Sequence, residues 1–127
     1  MIAHLSLGVA DLARARRFYD AVLPTLGYER VYDVEGAHGY GAKPGAPVFW
    51  INLPLDESRA VAAGNGTHVA FAAPSREAVD AFHATALANG ARDNGRPGLR
   101  DYTPTYYAAF VFDPDGHAIE AVCFEPE

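Results

Sequence analysis

The sequence predicts an α+β fold: two β-α-β-β-β modules forming a curled mixed sheet, a half-barrel with a central cleft. Three observations carry that prediction. Short alternating segments bounded by Gly or Pro read as strands. The order strand, helix, strand, strand, strand runs once and then begins again after a polar stretch. His4, Phe18 and Leu23 in the first half recur as His68, Phe82 and Leu87 in the second, each at the same separation, and internal repeats decide the fold.

The opening "MIAHLSLGV" alternates and is rich in aliphatic residues, as a half-buried strand is. Asp11 follows as a helix N-cap. Leu12, Ala15, Phe18, Tyr19, Val22, Leu23 and Leu26 then recur at helical spacing, until Gly27 stops the run. Pro24 lies late in this helix and kinks or frays its last turn. Three strands are predicted next, "YERVYDV" over 28–34, "GYGAK" over 39–43 and "PVFWINL" over 47–53.

A polar and small-residue stretch closes the first module. In the second, "THVAFAA" is a strand and Ser75 caps a helix. Ala78, Val79, Phe82, Ala86 and Leu87 form its apolar stripe, and Asn89-Gly90 ends it. A short strand over 91–94 precedes a long loop over 95–105, longer than a connection needs and suited to a lid or substrate loop. "YYAAFVF" and "HAIEAVCF" then pair as a hairpin through "DPDG". One domain is expected over 1–127, with module one about 1–54, a linker about 55–66 and module two about 67–127.

Composition narrows the function classes. The chain has 127 residues, 50% hydrophobic and 20% charged, which suits a globular core. Its net charge of −6 argues against nucleic acid, because no basic stripe exists to neutralise phosphates. Arg14, Arg16 and Arg17 read as a solvated helix face. The single cysteine, Cys123, excludes an intrachain disulfide framework and a multi-cysteine zinc site, and reads as a buried structural thiol. No apolar run is long enough to span a bilayer, and no charged start followed by an apolar run marks a signal peptide. A soluble protein of a reducing compartment, the cytoplasm, is the expectation.

One acidic residue is out of place. Glu120 sits between Ile119 and Ala121 in a strand that reads as buried. An unpaired ionised carboxylate there would cost several kcal/mol, roughly, unless it is protonated or partnered. No arginine or lysine lies in the strands that carry His4, His68 and Glu120. A divalent cation would supply the missing charge, and two imidazoles with one carboxylate suit zinc or iron(II). His4 shares a strand face with Ser6 and Gly8, and His68 shares one with Ala70 and Ala72, so small residues surround both rings. Taken singly, each histidine reads as structural, and Glu120 alone could face solvent; their agreement is what points to a metal. His38, His83 and His117 read as solvated.

Trp50 and Asn52 share a strand face, and by the repeat Trp50 stands where Glu120 stands in the second half. It is a core residue or a cleft wall. Tyr106 and Tyr107 point to opposite faces, so at most one reaches the cleft. Arg96 and Arg100, in the long loop, could meet an anionic substrate or simply water. No phosphate-binding glycine loop and no nucleophile elbow is present.

Three segments, "HLSLGVADLARARRFYDAVLPTLGY", "GNGTHVAFAAPSREAVDAFHA" and "YYAAFVFDPDGHAIEAVCF", give the chain a resemblance to the vicinal oxygen chelate superfamily, which includes glyoxalase I, extradiol dioxygenases and bleomycin-resistance proteins. The closest flavour is that of small bacterial glyoxalase-like proteins. The resemblance implies the paired-module fold, a homodimer, and a divalent metal (Zn, Ni, Mn or Fe(II)) in the cleft. It places the metal ligands on His4, His68 and Glu120. Glyoxalase I carries a further glutamate where this chain has Trp50, so the three-ligand set is closer to the dioxygenases. The resemblance also suggests Tyr107 beside Glu120 as a catalytic residue. With Trp50, Asn52 and Arg100 as substrate contacts, the implied activity is a metal-dependent lyase, isomerase or oxygenase acting on a vicinal-oxygen substrate. The alternative is a metal-free binding or drug-sequestering protein of the bleomycin-resistance type.

Overall fold

The computed structural model describes residues 1–127. The eight strands and two helices follow the expected order. The first module comprises β1 (Leu5–Gly8), α1 (Leu12–Val22), β2 (Glu29–Val34), β3 (Ala37–Gly41) and β4 (Phe49–Asn52). The second comprises β5 (His68–Ala72), α2 (Arg76–Ala88), β6 (Arg92–Leu99), β7 (Tyr107–Phe112) and β8 (Ala118–Cys123).

The strands form two four-stranded sheets with matching topology, β1-β4-β3-β2 and β5-β8-β7-β6. In each, the first strand runs parallel to the last and the remaining pairs are antiparallel. The repeat is therefore structural. Ser6 lies opposite Trp50 as Ala70 lies opposite Glu120, so Trp50 does occupy the first-module counterpart of the carboxylate.

Local chemistry explains both helices. Asp11 accepts the backbone N–H of Arg14, and Ser75 accepts that of Ala78; each satisfies an N–H that has no partner inside the helix. α1 buries Ala15, Phe18, Tyr19 and Val22, and α2 buries Ala78, Val79, Phe82 and Ala86. These faces join one hydrophobic cluster with Leu7, Phe49, Ile51, Phe71, Val111, Ile119 and Cys123, so both modules share a core. Pro24 does not kink α1. It opens a 3-10 turn over Leu23–Leu26, where proline's missing N–H costs nothing.

Other details differ from the expected pattern, beginning with β3, which runs 37–41 rather than 39–43. Leu87, matched to Leu23 by the repeat, is 39% exposed while Leu23 is buried; α2 presents Ala86 to the core and Leu87 to its flank. β6 extends to Leu99, well into the segment expected to be loop. It continues because register shifts at Gly95 and Gly98 absorb the irregularity, and because an edge strand tolerates Pro97. Gly95 has φ +145°, and a Cβ there would come within 3.1 Å of Phe110. The connection to β7 is thereby shortened to 100–106.

Candidate functional site

Strand alternation sends His68, Ala70 and Ala72 of β5, and Ala118, Glu120 and Val122 of β8, to the face of the second sheet opposite the helices. Glu120 is 1% exposed. Its Oε1 lies 3.1 Å from His68 Nε2, and its Oε2 accepts a 2.5 Å hydrogen bond from the Tyr106 hydroxyl. No arginine or lysine pairs with it. The carboxylate is buried against an imidazole and a phenol, with no fixed cation. Burial and the bond to Glu120 push Tyr106 up to about 12, so it stays a proton donor at neutral pH.

Tyr107 occupies the other face. Its hydroxyl donates to Asp80 on α2 at 2.7 Å, and the Arg76 guanidinium lies over its ring. The tyrosine at Glu120 is thus Tyr106. The sequence offered a signal for it, since the two tyrosines must diverge, but only the hairpin register says which one aligns with the acid.

Arg100 stacks on Phe110, 5.2 Å from the ring centroid, and Phe110 lies directly across from Glu120. Its guanidinium also donates to the carbonyls of Gly98 and Arg96, so part of its donor set is spent on its own loop.

Trp50 and Asn52 belong to the first sheet, and His4 immediately precedes its strand β1. They line an open depression of about 920 Å³ with Ser6, Gly8 and His117. Trp50 packs against Tyr32, with centroids 5.9 Å apart, and Asn52 donates to the carbonyl of Leu53. Within one chain His4 does not join His68 and Glu120, and no three His, Cys, Asp or Glu side chains gather where they could hold a metal ion. His4 and the His68–Glu120 pair thus stand apart, one beside each sheet.

The three histidines expected to be solvated are not free. His38 bonds Asp33 at 2.6 Å and His83 bonds Asp93 at 2.8 Å, each with its ring largely covered. His117 reaches the carbonyl of Gly8. Composition and spacing carry no sign of these pairings, because each joins segments that meet only in the folded chain.

The architecture defines a class, the paired β-α-β-β-β proteins. The chain belongs to the Glyoxalase/Bleomycin resistance protein/Dioxygenase superfamily, whose sequence profile matches residues 1–121. It is similar to a glyoxalase/bleomycin resistance protein from Albidiferax ferrireducens T118, with 38% identity over 98% of both chains and a TM-score of 0.84. A glyoxalase-related enzyme from Fulvimarina pelagi shares the fold at 22% identity, over 97% of this chain and 87% of that one, with a TM-score of 0.73. So does the fosfomycin resistance protein FosX from Mesorhizobium loti, at 19% identity, 97% and 91% coverage, and a TM-score of 0.65. No curated protein matches the sequence.

Proposed function

We propose that this chain is a divalent-metal-dependent enzyme, a lyase, isomerase or oxygenase, acting on a small substrate with vicinal oxygens, and that its metal site is shared between two copies. The observation that carries the reading is Glu120: a buried carboxylate beside an imidazole nitrogen, with no fixed cation to neutralise it. His68 and Glu120 supply two donors of the kind that Zn, Ni, Mn or Fe(II) accepts. The third is His4 of a second copy.

A homodimer suits the surface as well. β1 and β5 are both edge strands. Between them lies an apolar hollow walled by Leu5, Val48, Phe49, Val69 and Phe71, with Ile2, Leu5 and Val48 exposed at its rim. A second chain covering this rim removes apolar surface from water and blunts two open edges. No helix is long and apolar enough to cross a membrane, and a cytoplasmic setting goes with this reading.

The bound cation supplies Lewis acidity, drawing negative charge onto the substrate's oxygens. The chain's own residues do the rest. Tyr106 orients the Glu120 carboxylate and keeps its proton near neutral pH. This gives Tyr106, rather than Tyr107, the part of positioning residue at the acid. Trp50 offers an apolar wall, Asn52 a free amide oxygen, and Arg100 a cation on the Glu120 face for an anionic group.

One observation favours a second reading. Both Glu120 oxygens already have partners, so the pocket is satisfied without a cation, as a metal-free binding protein would require. Element analysis of the as-isolated protein separates the two. The shared site is tested by mixing: His4→Ala and His68→Ala should each lose metal, and a refolded mixture should regain it, because one heterodimer site keeps all three ligands. Dimeric variants that fail to complement rule out sharing. Wild-type protein that takes up none of the four metals, while binding small molecules regardless of chelator, rules out the enzyme.

A further inference from the structure

The turn joining β7 to β8 carries a histidine of the second module across to the first. Asp113 Oδ1 accepts the backbone N–H groups of Asp115 and His117, both at 2.9 Å, and its Oδ2 accepts the Tyr19 hydroxyl of α1 at 2.6 Å. Asp115 Oδ1 accepts from the Ala10 N–H and from Arg14. These bonds fix the turn against the end of β1 and the start of α1. From there His117 Nε2 lies 2.7 Å from the Gly8 carbonyl oxygen.

A carbonyl can only accept, so Nε2 carries the hydrogen, and in the neutral ring Nδ1 is left as an acceptor. Nδ1 has no partner in the chain, and it is not sealed away from solvent. The ring stands on the wall of the depression that also holds His4, Ser6, Trp50 and Asn52.

These groups lie in a row. His4 precedes β1, Ser6 lies beside Trp50, Gly8 lies beside Asn52, and His117 meets Gly8. Four strand steps of about 3.3 Å put roughly 13 Å between the two ends. Gly8 is not demanded by packing or backbone conformation: a Cβ there would meet only the Pro54 Cα, at 3.9 Å, and its φ is not positive. Its missing side chain keeps the floor of the trough open.

We propose that His117 determines specificity. Its Nδ1 accepts a hydrogen bond from a hydroxyl or N–H at the far end of an elongated ligand, whose body lies over Ser6 and Gly8 against Trp50. This rests on the reading above that vicinal oxygens bind at the His4 end. The substrate class narrows accordingly, to a chelating head, a flat or apolar middle and a terminal donor.

Trp50 is the only tryptophan, so its fluorescence reports occupancy of the trough directly. The zinc-supplemented protein is titrated with 4-(3-hydroxypropyl)catechol, with 4-butylcatechol and with the methyl ether of the first. All share the chelating head; only the first carries a terminal donor. One hydrogen bond to a half-exposed acceptor corresponds to about tenfold in affinity. The alcohol should bind about tenfold tighter than the other two, and His117→Phe should abolish that preference. Phenylalanine keeps a ring at the wall of the depression but carries no acceptor. Equal affinities in the wild type, or an unchanged preference in His117→Phe, overturn the inference while leaving the vicinal-oxygen reading intact. The comparison with the ether decides the point even if the variant fails to fold. Absence of quenching by all three compounds overturns both.

Discussion

Replacing Tyr19 by Phe removes one oxygen and leaves the ring's packing in place. The ring keeps its edge contact with Phe18, centroids 4.9 Å apart, and its tilted contact with Phe49 at 5.1 Å. What disappears is the 2.6 Å bond from the hydroxyl to Asp113 Oδ2. Both residues are buried, Tyr19 at 0% and Asp113 at 4% exposure, and Oδ2 has no other donor. Stranding an acceptor on a buried charged group costs about 1.5–3 kcal/mol. A loss of about 2 kcal/mol corresponds to a fall in Tm on the order of 8 °C for a chain of this size.

The pH dependence has a definite sign. Burial raises the Asp113 pKa above 3.8, and the Tyr19 bond opposes that rise. A carboxyl whose folded pKa is raised favours the fold where it is protonated. That contribution is present at low pH and is lost as pH climbs from 3.8 through the raised value. Phenylalanine removes an influence that lowers the pKa, so it moves further up and the neutral-pH penalty grows. Urea unfolding followed by Trp50 fluorescence should show a larger destabilisation at pH 7 than at pH 3. Adding Asp113→Asn to Tyr19→Phe should restore part of the loss, because a neutral amide is less costly to bury than a carboxylate. A destabilisation below about 0.5 kcal/mol at pH 7, the lower end for a net hydrogen bond, or one equal at both pH values, would refute the reasoning.

Phe82→Ala removes a fully buried ring of α2 from the shared core and should cost about 3–5 kcal/mol, read as a drop in the urea midpoint. Ser75→Ala deletes the cap of the same helix and should cost about 1 kcal/mol, with glycine in its place costing only a few tenths. Alkaline absorbance titration should lose a phenolate component near pH 12 in Tyr106→Phe. The stability that this residue contributes is complete below pH 10 and fades as pH rises through about 12.

Much of this protein was legible before folding was considered. The duplicated order, both caps and the buried helix faces follow from periodicity and from backbone groups that must find partners, and these are local demands. The oddity of Glu120 was equally plain, because a carboxylate in an apolar strand is costly wherever that strand ends up. Alternation alone also separated Tyr106 from Tyr107.

Tertiary structure decided the rest, for one physical reason: pairing between distant segments leaves no mark on local spacing. Hairpin register put Tyr106 on the acid and sent Tyr107 to Asp80. Two glycine-centred register shifts carried β6 through a segment that composition presents as loop. Inter-module contacts set one ring nitrogen of His117 on the Gly8 carbonyl. Packing of the modules around one core left His4 beside one sheet and His68 with Glu120 on the other. The sequence determined which side chains could act; how far apart they stand was settled only when the two sheets took their places.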